Sequence, residues 1–428
     1  MNRYLKKSII AMAVGTAIAG LSFQAQATNG YFSHGYGTKA KGMGGAGVAL
    51  PQDSLAAATN PAGMVRVGNR WDVGAEIFVP DREATTYWGN NAAPNATTYD
   101  GNGSGYGESW FLIPEVGYNR MINNNLSAGV SIFGNGGMNT TWNGPIFSQG
   151  TNPTQNTGID LAQLFISPTL SFKADDRNSF GISMNIVYQR IKVEGITDFG
   201  GISSNAAALS DRGYDSSYGV GFRIGWIGDL TDTVSAGFTY QPKTKMSRFD
   251  KYSGLFAEQG KFDIPSNFAL GVSWKATPKM TLALDVEKIN YKDIKSIANL
   301  NTGFSGGSLG TNTGPGFGWN NMTIFKLGVN FQMNKNLEIR AGWNHGDQPI
   351  PNSETLFNVL APATVEDHLT LGFTQKMGDG ELSGYYMHAF NNTVNGTGVV
   401  AFPGAQNAGG ANIGMSQNAF GITYGKKY

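Results

Sequence analysis

From Arg70 to the C-terminus the sequence repeats one arrangement: about ten residues of alternating apolar and polar side chains, then a link. The links fall into two classes. Six are short and built from turn-forming residues: NRMINNN (119–125), KADDRNS (173–179), GDLTDT (228–233), KATPK (275–279), MNKN (333–336) and KMGDG (376–380). Seven are longer and rich in Gly, Asn and Ser, near 83–109, 135–160, 196–215, 251–261, 295–319, 346–364 and 392–412. Six short and seven long links join fourteen strands. An even count puts both chain ends on the side of the short turns.

The alternation defines two faces, because side chains flip with period two. Phe180, Ile182, Met184, Ile186 and Tyr188 oppose Gly181, Ser183, Asn185 and Gln189. Tyr218, Val220, Phe222, Ile224 and Trp226 oppose Ser217, Gly219, Gly221 and Arg223. A soluble β-sandwich also alternates, but it rarely needs fourteen long strands with two alternating kinds of connection. Composition decides between them. Charged residues are 14% against a usual quarter, there are 60 glycines in 428 residues, and aromatics reach 12%. After residue 27 no stretch approaches the twenty apolar residues that a spanning helix needs. The pattern is all-β: an antiparallel transmembrane β-barrel of about 14 strands, with the short turns on the periplasmic side of an outer membrane. A net charge of +1 gives no support for nucleic-acid binding.

The N-terminus reads as an export signal over 1–27. Arg3, Lys6 and Lys7 precede the apolar run SIIAMAVGTAIAGLSF, and Ala25 and Ala27 stand at a small-x-small cleavage site. Cysteine is absent, so neither a lipid-anchored start nor a disulfide is expected. Residues 28–68 then fit neither strand nor long helix. Glycines at 35, 37, 42, 44, 45 and 47 allow irregular packing. PQDSLAAA predicts one or two helical turns capped by Asp53 or Ser54, ended by Asn60-Pro61. NPAG is either a plain turn or part of a compact plug inside the barrel that begins at residue 69. Irregular backbone at membrane depth needs protein or water around it, and a lumen supplies both.

The stretch NGYFSHGYGTKAKGMGGAGVALPQDSLAAATNPAGM resembles the hatch of the FadL family, the outer-membrane channels for long-chain fatty acids and other hydrophobic molecules. Asn60, Pro61 and Ala62 match that family's Asn-Pro-Ala motif. SAGVSIFGNGGMNTTWNG (127–144) and SFGISMNIVYQRIKVEG (179–195) are similar to its third and fifth strands. The resemblance implies capture at extracellular loops, an apolar pocket at the hatch and release sideways through a kink in the third strand. Members include aromatic-hydrocarbon channels, so it does not choose among fatty acid, alkane and aromatic cargo. It implies a monomer, set among outer-membrane lipid and lipopolysaccharide.

Candidate residues follow from that plan. Ile146 and Phe147, and Leu255 and Phe256, are apolar loop residues for capture; the other reading is burial against a neighbouring loop. Phe32, Met43 and Met64 either line the pocket or pack the plug. Gly134, Gly136 and Gly137 either bend the third strand at the lateral opening or begin a loop after Phe133. Arg223 and Arg340, among the inward charges, are candidate partners for a carboxylate. The last strand places Phe420, Ile422, Tyr424 and Tyr428 on one face, which resembles the signal read by the barrel-insertion machinery.

Catalysis finds no footing. Four histidines, His34, His345, His368 and His388, lack metal-ligand spacing, and there is no Gly-x-Ser-x-Gly elbow or phosphate loop. No enzyme activity, cofactor or metal is expected. The rival reading is a general diffusion porin or a barrel adhesin, and the N-terminal segment separates them, since many porins have no such plug.

Overall fold

The structure, a computed structural model, describes residues 28–88, 97–100, 109–143, 146–147, 156–301, 307–397 and 409–428. The expected export signal and parts of four expected loops lie outside the described residues. The strands are β1 (Arg70–Trp88), β2 (Thr97–Asp100), β3 (Phe111–Asn123), β4 (Leu126–Trp142), β5 (Thr157–Lys173), β6 (Asn178–Glu194), β7 (Asp215–Asp229) and β8 (Val234–Gln241). They continue as β9 (Asn267–Thr277), β10 (Met280–Ile289), β11 (Met322–Gln332), β12 (Leu337–Gly346), β13 (Asp367–Met377), β14 (Gly380–Asn395) and β15 (Gly409–Lys427).

Neighbours in sequence pair antiparallel from β3 to β15, and β1 pairs with β3 on one edge and β15 on the other. The result is a closed 14-strand barrel. Strand β2 is a short extra strand on β1, with Glu83 opposite Asp100. Ile182, Met184 and Ile186 are exposed, whereas Ser183, Asn185 and Gln189 are buried. Phe420, Ile422 and Tyr424 are likewise exposed on β15. The apolar face points outward to where lipid would lie, and the polar face points in.

Two strands outrun the sequence pattern. The first two long links were expected from 83 and 135, yet β1 runs to Trp88 and β4 to Trp142. Ladder pairing explains the difference. Rungs continue to Trp88↔Gly409 and Trp142↔Thr157, so backbone bonds carry the strands past the point where lipid enforces alternation.

Residues 28–69 come before the barrel and contain only short helical pieces: Thr38–Lys41, Ala56–Thr59, Pro61–Gly63 and Met64–Val67. Asp53 accepts from the Leu55 amide (3.0 Å) near the start of the second, and Asn60 ends it in an extended conformation. The segment bonds to wall strands around the ring. Lys41 pairs with Glu76 of β1 (2.5 Å) and the Thr38 amide donates to Glu115 of β3 (3.1 Å). The Val65 amide reaches Ser171 of β5 (3.2 Å), and the Gly47 and Val48 amides reach Asp285 of β10 (2.7 and 3.0 Å). The Gly44 amide donates to Thr370 of β13 (2.8 Å). The segment is thus bonded to strands on many sides of the closed ring.

Candidate functional site

The end of the lumen near the short turns is charged. Arg70 pairs with Asp72 (2.5 Å) and Glu381 (2.7 Å), and Lys39 also pairs with Glu381. The Ser54 hydroxyl and amide donate to Asp72. One layer in, Tyr385 donates to Glu76, the partner of Lys41. Asp53 is enclosed by this layer. Burial, with the Asp72 carboxylate close by, pushes its carboxyl up to about 7, against the pull of Lys39 and Arg70.

Asn60, Pro61 and Ala62 form the anchor of the segment. The Asn60 side-chain oxygen accepts from the Ala62 amide and caps the turn (3.1 Å). Its amide nitrogen donates to the carbonyls of Val48 (2.8 Å), Trp226 (3.1 Å) and Phe238 (3.3 Å), tying the segment to β7 and β8. Ser171 donates to the Ala62 carbonyl (3.1 Å). The wall is glycine where the motif touches it. A Cβ on Gly225 would stand 1.9 Å from Asn60, and one on Gly181 would stand 2.3 Å from Pro61.

Toward the long-loop end the lining turns apolar. One continuous buried cluster runs from Leu255, Phe256, Phe317 and Phe357 in the loops down to Tyr31 and Phe32. Tyr291 packs on Tyr31 (5.3 Å between ring centres) and Trp319 (5.2 Å), and Phe262 packs on Phe256 (5.2 Å). The same cluster includes Phe133, Met138 and Phe165 on β4 and β5. Two cavities among the described residues along it hold about 10 Å³ beside Leu255, Phe256 and Phe317, and about 20 Å³ beside Met138 and Trp319. That is room for a water molecule, not an organic guest.

At the lower end of this cluster the wall changes its pairing. The β3–β4 ladder has its last rung at Val116↔Ile132, while the β4–β5 ladder continues to Trp142 with a bulge at Asn135. A regular continuation would set Pro114 opposite Gly134, and proline has no N–H to give a ladder. The N-terminal residues bond to β4 instead. Phe32 bridges Gly136, the Ser33 amide donates to the Asn135 carbonyl (3.0 Å), and the Gly137 amide donates to the Tyr31 carbonyl (2.9 Å).

The candidates named from sequence thus separate. Phe32 joins the apolar cluster beside Gly136. Met43 packs in a small separate group with Ala46 and Ala283, and Met64 lies against Gly129 of β4. Ile146, Phe147, Leu255 and Phe256 are buried within the loop layer, with Phe147 against Phe199 (5.4 Å). Arg340 is held by Glu338 (2.6 Å), Thr374 and Gln52. Arg223 donates to the Thr59 carbonyl and to Gln241, makes no ion pair among the described residues, and lines a cavity of about 20 Å³ with Tyr36, Glu287 and Lys326. Gly134, Gly136 and Gly137 lie within β4, beside the edge from which β3 is missing.

Residues 18–383 match the family model for outer membrane protein transport proteins (OMPP1/FadL/TodX). The chain belongs to this family. None of the curated protein sequences matches it. Among solved structures, the Pseudomonas putida toluene transporter TodX aligns with a TM-score of 0.66 at 16% identity, over 92% of this chain and 99% of that one. The Ralstonia pickettii toluene transporter TbuX gives the same figures. A Pseudomonas aeruginosa FadL homologue gives 0.67 at 17% identity, over 95% and 99%. At such identities the likeness is one of fold.

In this FadL/TodX-family barrel several residues of the site carry no pattern in sequence. Tyr291, Trp319 and Phe262 come from loops, where no periodicity marks which aromatic turns inward. Pro114 was readable: a proline inside an otherwise alternating strand signals a free edge.

Proposed function

We propose that this protein is a passive channel taking hydrophobic small molecules across the outer membrane: long-chain fatty acids, or aliphatic or monoaromatic hydrocarbons. One observation carries the reading. The apolar cluster begins in the loop layer and ends at the unpaired edge of β4, with a charged layer between it and the short-turn mouth. A hydrocarbon gains about 0.8 kcal/mol for each methylene kept from water. It therefore follows the apolar lining and leaves sideways into the bilayer, between β3 and β4 at Gly134, Gly136 and Gly137, in preference to crossing the charged layer.

In this reading, cargo captured outside enters through the loop layer in which Leu255, Phe256, Ile146 and Phe147 are buried, and Phe32 with its aromatic neighbours forms the pocket. Met43 and Met64 seat residues 28–68, which act as a hatch. Arg223, which makes no ion pair among the described residues, is the better placed of the two arginines to meet a fatty-acid head group. The structural likeness to proteins named toluene transporters is consistent with hydrophobic cargo. The channel works as a monomer among outer-membrane lipid and lipopolysaccharide. The test is uptake of labelled toluene and labelled oleate by cells that lack other such channels, with and without this protein. Faster entry of either, saturable and not shared by a polar sugar of similar size, is expected. Faster entry of the sugar alone would make the protein a diffusion porin.

A further inference from the structure

The edge of β4 left free by β3 does not stay unsatisfied. The Arg82 guanidinium, from β1, donates to both the Asn139 carbonyl (2.6 Å) and the Asn139 side-chain oxygen (2.8 Å). Arg82 is fully buried. Strand register explains why it can reach. Strand β3 begins at Phe111, opposite Phe78 of β1. Beyond Phe78, β1 and β4 are next-but-one neighbours with the place of β3 between them, a separation of about 10 Å at normal strand spacing. An extended arginine covers most of that distance, and its Nη1 donates to both oxygens of one residue. The interval in β4 without β3 is thus bounded at both ends. Its lower bound is the last rung at Val116↔Ile132, and its upper bound is the Arg82–Asn139 contact.

We infer that Arg82 is a strut fixing the size of the lateral opening, and so a residue that sets which hydrophobic cargo passes. The inference rests on the sideways exit proposed above. Two jobs meet in one side chain. It satisfies a backbone carbonyl that hydrocarbon would punish, and it ties the upper half of β4 directly to β1. Without it, β4 above its bulge loses its tie to β1, keeping β5, the contact with Tyr31 and Phe32 and the loop bonds of Thr140 and Trp142, and the opening widens.

The experiment compares uptake of toluene with that of oleate in cells carrying Arg82→Met, Arg82→Lys, Asn139→Ala, or a cross-link over the opening. The chain has no cysteine, so Ile113→Cys with Gly134→Cys gives a single engineered pair. A Cβ at 134 would stand 3.1 Å from Ile113 Cγ2, within reach of a disulfide. Oxidation of that pair should cut uptake well below that of the same variant kept reduced. Arg82→Met should raise oleate uptake relative to toluene at least threefold, and Arg82→Lys should restore most of the original ratio. Asn139→Ala should move the ratio the same way by less, which keeps the test alive if Arg82→Met fails to assemble. An effective cross-link with an unchanged ratio in both Arg82→Met and Asn139→Ala overturns the strut and leaves the sideways exit standing. Full uptake through the oxidised cross-link overturns the exit, and the strut with it.

Discussion

Phe32 and Gly136 face each other across an antiparallel bridge so close that a Cβ on Gly136 would stand 1.7 Å from the Tyr31 carbonyl oxygen. Residues 31–33 and the bulged strand are one unit. Glycine is needed at 136 for that close approach, more than for any bend in the strand itself.

Replacing Gly136 and Gly137 by valine should therefore push residues 31–33 off β4. Overpacking of this kind costs roughly 1–3 kcal/mol. The ladder to β5 survives, so the barrel should still assemble and show heat-modifiable migration on unboiled gels. Hydrophobic uptake should fall several-fold at normal surface abundance. Unchanged uptake would mean that cargo passes by a route independent of this contact.

Asn60→Ala removes one cap and three donations to carbonyls at once. A buried acceptor left without its donor costs about 1–3 kcal/mol. Two of the three carbonyls lie on wall strands, so the loss should loosen the segment from the wall without unfolding the wall. Hydrogen exchange of residues 45–63 should accelerate at least tenfold while β7 and β8 stay protected. Equal acceleration in both would make Asn60 a support of the whole barrel.

How much of this could be read from sequence depends on what enforces the pattern. Lipid on one face makes alternation compulsory, so the barrel and its strand number were legible from segments such as 180–188. The Asn-Pro-Ala motif was legible as a turn or as part of a plug, but not its receptors, because Gly181 and Gly225 look like any other inward glycine. Beyond the lipid belt nothing forces alternation, and β1 and β4 run past their expected ends on backbone pairing alone. The aromatic cluster around Tyr291 joins positions some 260 residues apart, such as Tyr31 and Tyr291. Arg82, a polar residue at the edge of an expected loop, announced nothing.

Deleting residues 28–68 should leave a folded, inserted barrel, since those residues contribute no strand to the ladder. Inward groups now bonded to them, among them Glu76, Glu115 and Asp285, would meet water in an open lumen. Small polar solutes should then pass in liposome swelling assays, and hydrophobic uptake should be lost with the pocket. A barrel that failed to insert would assign the segment to assembly instead of gating.

The last prediction concerns pH. Asp53 has its carboxyl raised from the ordinary range to about 7, by burial first and by Asp72 second. Lys39 and Arg70 oppose the shift, and Glu115 adds to it. A carboxyl raised in the folded arrangement binds its proton more tightly there than when released into water. That arrangement is thus favoured most at low pH, and the advantage is lost as pH climbs from about 4, the ordinary carboxylate value, to about 7. Residues 50–58 should therefore be held more firmly at pH 5 than at pH 8. Asp53→Asn stays neutral throughout and should flatten the difference. Hydrogen exchange of this stretch, corrected for the intrinsic effect of pH, reads it directly. An equal pH dependence in Asp53→Asn would move the effect to another group of the charged layer.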